Sequence, residues 1–274
     1  MKKLFLVFAL TMLGLGQTFA QLNPEDFRFF NHLNAGISLG TDGIGIEVAA
    51  PLTYNFAVRT GFTIMPKFKY KKGINVGKDP AFLSHPDDQN VDVEGKLNMA
   101  DFKLLFDYYP FKKSSFHVTA GAYIGKSKVV TVQNANAFIK EDSWGSKGLE
   151  LGTGANTYTI VSDERTGNIQ AEAKTNSFKP YLGIGFGRAV SKGRFGIQFD
   201  LGVQFWGSPE VWANINSVNE ETGLLETKYQ KIDKDRIVTE SKDKGYKDFK
   251  DAIKTIDKIG VYPVLTLRIN GRIF

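Results

Sequence analysis

The chain contains no cysteine. A disulfide framework, a thiolate metal site and a lipid anchor at cysteine are therefore excluded. Beyond Ala20 it has no apolar run of the roughly 20 residues that a membrane-crossing helix needs, so a helical membrane protein is excluded. Basic charge is not concentrated either. The formal net charge is +6 with no basic block, and nucleic acid is not an expected partner. What remains is a periplasmic protein, a secreted protein or a membrane β-barrel. The 22 Phe, 10 Tyr and 28 Gly favour a β-rich chain.

The first twenty residues read as an export signal. Lys2 and Lys3 are followed by the apolar run Leu4 to Gly14, and Thr18-Phe19-Ala20 ends in a small residue. This order is that of a secretory signal peptide cleaved after Ala20. Losing Lys2 and Lys3 with the leader lowers the formal charge to +4. N-terminal sequencing of the protein from an envelope fraction should begin at Gln21. Retention of Met1 there would overturn the assignment.

The strongest pattern in the mature chain is period-two alternation, which sends successive side chains to opposite faces of a sheet. From Phe195 to Trp206 one face is Phe195, Ile197, Phe199, Leu201, Val203 and Phe205. The other carries Gly196, Gln198, Asp200, Gly202, Gln204 and Trp206. Similar runs cover 33–39, 44–48, 56–64, 101–109, 116–125, 181–187 and 265–273, giving eight strands. An even number of long alternating strands predicts an all-β, eight-stranded antiparallel up-and-down transmembrane barrel. The domain reading is a signal peptide over 1–20, a lead-in over 21–30 and the barrel over 31–274.

The connections also alternate in length. Gly40-Thr41-Asp42-Gly43 is a tight hairpin with Asp-Gly turn chemistry. The connections at 51–55, 110–115 and 191–194 are short, while 70–96, 128–176 and 207–261 are long and read as loops. With the N-terminus in the periplasm, these three short turns face the periplasm and the long loops face outward, as in bacterial outer-membrane barrels. The last long loop contains a helix-like stretch, 246–260, in which Tyr246, Phe249, Ala252, Ile253, Ile256 and Ile259 recur at three- and four-residue spacing.

The strand count, the loop sorting and the ending Tyr262 to Phe274 resemble the small outer-membrane β-barrel family of the OmpA/OmpX-like, porin-like kind, over nearly all of Asn31 to Phe274. The resemblance implies a cell outer membrane location in a Gram-negative envelope. It also implies contact with outer-membrane lipid and lipopolysaccharide, and recognition of the final strand by the barrel-assembly machinery. The residues carrying that last expectation are Leu265, Leu267, Ile269, Ile273 and Phe274. Phe274 has the parity of Asn270 and Arg272, so either it projects beyond the last paired residue or the strand is bulged.

The inward face is expected to carry Glu47, Arg59, Asp101, Lys103, Asp107, Lys179, Asp200, Arg268 and Arg272. Eight strands leave an interior just wide enough for side chains to fill, and buried charges must pair. The partner of Asp200 is expected among Lys179, Arg268 and Arg272. The expectation is a polar plug, with a narrow solute path as the alternative; inward glycines mildly favour local thinning of that plug but also ease curvature.

No catalytic, cofactor or metal residue is assigned. His117 and Ser127 share a face, but ten extended residues hold them roughly 33 Å apart. Asp87, Asp88, Asn90, Asp92 and Glu94 could offer oxygen ligands. Counted from Asp88, however, the sixth residue is Val93, where an EF-hand loop needs glycine. The glycines between Gly183 and Gly187 alternate inside a strand and open no helix, so they form no phosphate cradle. Three functional classes follow: a structural or surface-interaction barrel, a small porin or channel, and a membrane-embedded lipid-modifying enzyme.

Overall fold

The computed structural model describes residues 28–66, 69–75, 90–126, 128–135, 139–151, 158–191, 193–218, 225–232 and 260–274. In chain order the strands are β1 (Asn34–Gly40), β2 (Gly43–Pro51), β3 (Phe56–Ile64), β4 (Lys69–Asn75), β5 (Asn90–Leu97), β6 (Ala100–Tyr108), β7 (His117–Gly125) and β8 (Lys128–Asn134). They continue as β9 (Gly148–Leu151), β10 (Tyr158–Val161), β11 (Gln170–Lys174), β12 (Phe178–Phe186), β13 (Phe195–Phe205), β14 (Glu210–Val218), β15 (Leu225–Lys231) and β16 (Val261–Arg272).

Eight of these strands close a barrel in the order β1-β16-β13-β12-β7-β6-β3-β2. Every neighbouring pair is antiparallel, and closure comes from β1 pairing with both β2 and β16. These eight are the strands that the alternating pattern predicts. The reason is visible in one cross-strand row. Ile197, Ile269, Ile37, Ile46, Phe62, Phe102, Ile124 and Phe178 are successive partners across all eight strands. All eight point outward, at 41–67% exposure. Soluble monomers rarely expose contiguous apolar patches above a few hundred Å². A band of Ile and Phe that circles the molecule needs a lipid solvent, and a closed barrel satisfies the strand backbone there. The barrel is transmembrane.

An aromatic girdle marks the end that carries the short turns. Phe56 stacks on Tyr108 at 4.9 Å, Phe116 meets Phe186 edge-on at 5.4 Å, and Phe111 lies 6.0 Å from Phe116. Such rings sit at membrane–water interfaces in barrels. Phe274 lies beyond the end of β16, exposed, and its carbonyl accepts from the Leu33 N–H at 3.2 Å. The β1–β16 and β13–β16 registers run without a break as far as Arg272 and Gly271, and Phe274 lies past the last ladder pair, where Leu33 also accepts from the Ile273 N–H at 2.8 Å.

At the other end, the long connections carry a second sheet. Its order is β4-β5-β8-β11-β14-β10-β9, with β15 on β14. Of the outer strands, β4, β5, β8, β11 and β14 each follow or precede a barrel strand within a few residues. The β4–β5 hairpin thus prolongs β3 and β6, β8 and β11 prolong β7 and β12, and β14 prolongs β13. The β1–β2 hairpin turns within two residues and adds nothing to this wall. The sequence reading treats these connections as loops. They lack a long apolar face, and their pairing is imposed by the barrel hairpins on which they are built. Met65, Met99, Val129 and Trp206, with Leu97, Val130 and Tyr262 against them, pack the junction between the two sheets. The expected signal peptide lies outside the described residues, as does the helix-like stretch up to residue 259.

Candidate functional site: the charged barrel interior

Inward positions of the barrel strands bring charges from distant parts of the chain onto one axis. Arg59 on β3 is the hub. Its Nη1 donates to Asp200 Oδ2 at 3.0 Å, and its Nη2 donates to Asp107 Oδ1 at 2.9 Å and to Asp200 Oδ1 at 3.2 Å. Its Nε lies 2.9 Å from Asp107 Oδ2, and Glu47 Oε2 stands 3.7 Å from Nη1. The planar fork of arginine suits this simultaneous contact with two carboxylates. Thr119 donates to Asp107 at 2.8 Å, and His117 Nε2 lies 2.8 Å from Asp200 Oδ1.

Glu47 is the second centre. Lys103 Nζ approaches its Oε1 at 2.7 Å, and Arg268 Nε approaches its Oε2 at 3.5 Å. Arg268 also donates to the Ala189 carbonyl at 3.0 Å and to Gln198 at 3.2 Å. Nearer the long-loop end, Lys179 donates to Asp101 at 2.6 Å and to the Lys126 carbonyl at 3.3 Å. Eight of the nine residues expected inside are thus buried and linked to another of the set. Arg272 is not among these contacts. It ends β16, half-buried, with its backbone N–H on the Arg194 carbonyl. The partners of Asp200 are Arg59 and His117 rather than Lys179, Arg268 or Arg272. Lys179 sits at the far end of the lumen with Asp101, and the Arg268 fork is turned to Glu47 and Gln198.

Two contributors escape a position-by-position reading. Asp42 belongs to the β1–β2 turn, yet its carboxylate is buried. It accepts from Thr266 at 3.3 Å and from the Tyr123 hydroxyl at 3.4 Å, with Lys103 at 3.7 Å. Because this hairpin is short, its turn lies at the level of the lumen wall. Gly43 makes the turn possible at φ +110, where a Cβ would sit 2.3 Å from the Ile64 carbonyl oxygen. Arg188, in the connection after β12, stacks between Tyr54 and Tyr109 at 4.7 and 4.5 Å and closes the short-turn end. With Arg188 included, five buried carboxylates face five permanent cations along the lumen.

The inward glycines make room for rings. A Cβ at Gly202 would stand 2.5 Å from the Tyr181 hydroxyl, and one at Gly185 would stand 2.5 Å from His117 Nε2. Tyr181, Tyr123, Leu105 and Val264 fill the layer above the charges. The lumen is consequently filled by side chains. Ser38, Glu47, Arg59, Asp107, His117, Tyr181, Gln198 and Arg268 represent all eight strands, and none exceeds 4% exposure. Of the acidic segment weighed above as a possible oxygen donor, Asn90, Asp92 and Glu94 lie in β5, and Asp87 and Asp88 lie outside the described residues. Glu94 pairs with Lys69 at 3.1 Å, which holds the Glu94 carboxyl below its ordinary range. Among the described residues no group of three or more His, Cys, Asp or Glu is placed to hold a metal ion.

No protein-family model and no curated protein matches this chain. Among solved structures, it is similar to CarO2 of Acinetobacter baumannii, with 16% identity and a TM-score of 0.46 over 88% of this chain and 98% of that one. It is also similar to CarO of Acinetobacter baumannii, with 14% identity and a TM-score of 0.41 over 92% and 99% of the two chains.

Proposed function

We propose that this chain is a closed outer-membrane barrel with a structural and surface-interaction role, and that its working surface is the sheet built on the long-loop end. The observation that carries the reading is the filled lumen. A side chain from every barrel strand meets its neighbours with almost no solvent contact, so no water-wide path crosses that layer. The apolar belt, the even strand count and the sorting of short and long connections support the outer membrane as the site. Lipopolysaccharide around the belt and the barrel-assembly machinery at the final strand are the partners this location brings. The His117–Asp200 contact is read as part of the plug, because no space for a substrate adjoins it.

Planar-bilayer recording tests this reading. The reconstituted full-length mature protein should give no regular conductance steps. Steps of uniform size would instead favour the channel reading and would require the Arg59–Asp107–Asp200 cluster to open.

A further inference from the structure

Above the barrel, β11, β14 and β15 share a face whose side chains enclose a polar cavity of about 430 Å³, within the roughly 300–1,000 Å³ of small-molecule pockets. Its walls are Asp163, Arg165, Thr166, Asn168, Gln170, Glu172, Asn214 and Tyr229. No aliphatic side chain is among them, which separates this cavity from the mostly apolar pockets that take hydrophobic ligands.

We propose that this cavity binds a neutral or weakly charged saccharide. The argument begins with its charge. Glu172 is the floor, and both of its oxygens already accept from protein donors. Lys128 and Gln170 donate to Oε1, and the Tyr229 hydroxyl donates to Oε2. Burial opposes the Glu172 charge, but these donors outweigh it and hold the carboxyl below its ordinary range. Asp163 Oδ1 is engaged by the Arg165 and Thr166 backbone N–H groups and by the Thr166 hydroxyl, each at 3.0 Å. With Lys128 on Glu172 and Arg165 at the rim, the walls carry no net charge that would select a phosphate or a polyamine.

Beside the Arg165 guanidinium and the second Asp163 oxygen, the available groups are amides. Asn214 is exposed and makes no side-chain hydrogen bond among the described residues. Gln170 uses only its Nε2 and Asn168 only its Oδ1, the latter accepting from Asn134 at 3.2 Å. A planar amide offers a donor and an acceptor side by side, the match for adjacent hydroxyls on a sugar ring.

The third element is a fixed aromatic. Tyr229 stacks on Trp212 with centroids 5.5 Å apart, and Lys174 Nζ lies 4.2 and 4.6 Å from the two rings. The Tyr229 hydroxyl is tied to Glu172. The ring is therefore held before any ligand arrives, while 45% of the residue stays exposed. A preorganised ring loses little entropy on binding, and the part of the ring left exposed beside Trp212 and Lys174 offers an apolar surface to the C–H side of a pyranose.

This inference rests on the reading of the long-loop end as the exposed surface. The sugar could belong to lipopolysaccharide or to a soluble glycan, and the probes separate the two. Full-length mature protein in detergent is titrated, with calorimetric readout, with deacylated and dephosphorylated lipopolysaccharide core oligosaccharide, maltotetraose and chitotetraose. At least one should bind with a Kd of about 1 mM or tighter. Core oligosaccharide alone would assign the site to the membrane's own lipid, whereas maltotetraose or chitotetraose would assign it to soluble glycans. Asn214→Ala removes one free amide and should weaken binding about three- to tenfold. Tyr229→Ala should weaken it more than tenfold. Heat-modifiable gel mobility should be unchanged for both variants, since the barrel is untouched. Failure of all three probes, or binding that neither substitution alters, overturns the proposal. Such a failure would leave the closed-barrel reading standing, because that reading depends on conductance alone.

Discussion

Arg59→Leu is expected to lower stability in lipid vesicles by about 3–5 kcal/mol, the cost of removing one member of a buried charge cluster. The magnitude follows from what is left behind. Asp107 loses contacts at 2.9 Å to both Nε and Nη2, and Asp200 loses contacts at 3.0 and 3.2 Å. Thr119 still donates to Asp107, and His117 remains beside Asp200. Neither replaces the second nitrogen of the fork. Urea unfolding followed by gel mobility is the measurement. Arg59→Lys keeps the charge without the bidentate geometry, and its loss should be smaller. A double-mutant cycle with Asp200→Asn should show coupling within about 0.5–3 kcal/mol, as for groups in one network. A loss below about 1 kcal/mol for Arg59→Leu, at the level of a surface ion pair, would mean that water reaches the cluster. The closed-plug reading would then fail together with the prediction of no conductance.

The sequence exposes the barrel because period-two alternation converts position directly into face. From Phe195 to Phe205 the odd residues stand in the outward row and the even ones inside, and the register with β16 is unbroken across all eleven. Position does not say which charges meet. The lumen lies where tilted, staggered strands converge, so Arg59 reaches Asp200, 141 positions away, at 3.0 Å, closer than the 3.7 Å to Glu47 on its own hairpin. Asp42 is hidden for a related reason. A residue in a tight turn is ordinarily solvated, and only the shortness of β1–β2 brings this one against Lys103 and Tyr123.

The outer sheet is the least legible part. Lys69-Tyr70-Lys71-Lys72-Gly73 in β4 has no apolar face to reveal a strand. It pairs with β5 because β3 and β6 hold the two ends of that connection together. The saccharide cavity is assembled from β11, β14, β15 and the residues before β11. Glu172, Asn214 and Tyr229 become neighbours only through pairing across strands far apart in the chain.

Leu201→Arg should lower stability in vesicles by about 2–4 kcal/mol, the range for arginine at a mid-bilayer outward site of a barrel. Leu201 sits near the middle of β13, opposite Ile184 on one side and Leu265 on the other. All three belong to the outward apolar band, and Leu201 is 46% exposed in the protein without its lipid. That exposure gives the substitution its discriminating power. If water were the solvent of this surface, replacing a half-exposed leucine with arginine would cost within about 0.5 kcal/mol, as at other surface sites. In hydrocarbon the guanidinium must be dehydrated or must draw water into the bilayer. The variant should still fold, because the long side chain can snorkel toward the headgroups, and it should still migrate as a compact band on an unboiled gel. Its urea midpoint in vesicles is the quantity to read. An unchanged midpoint, combined with wild-type protein that stays folded and monomeric in plain buffer, would refute the transmembrane assignment. A lowered midpoint with preserved gel mobility is the outcome that the row from Ile197 to Phe178 leads us to expect.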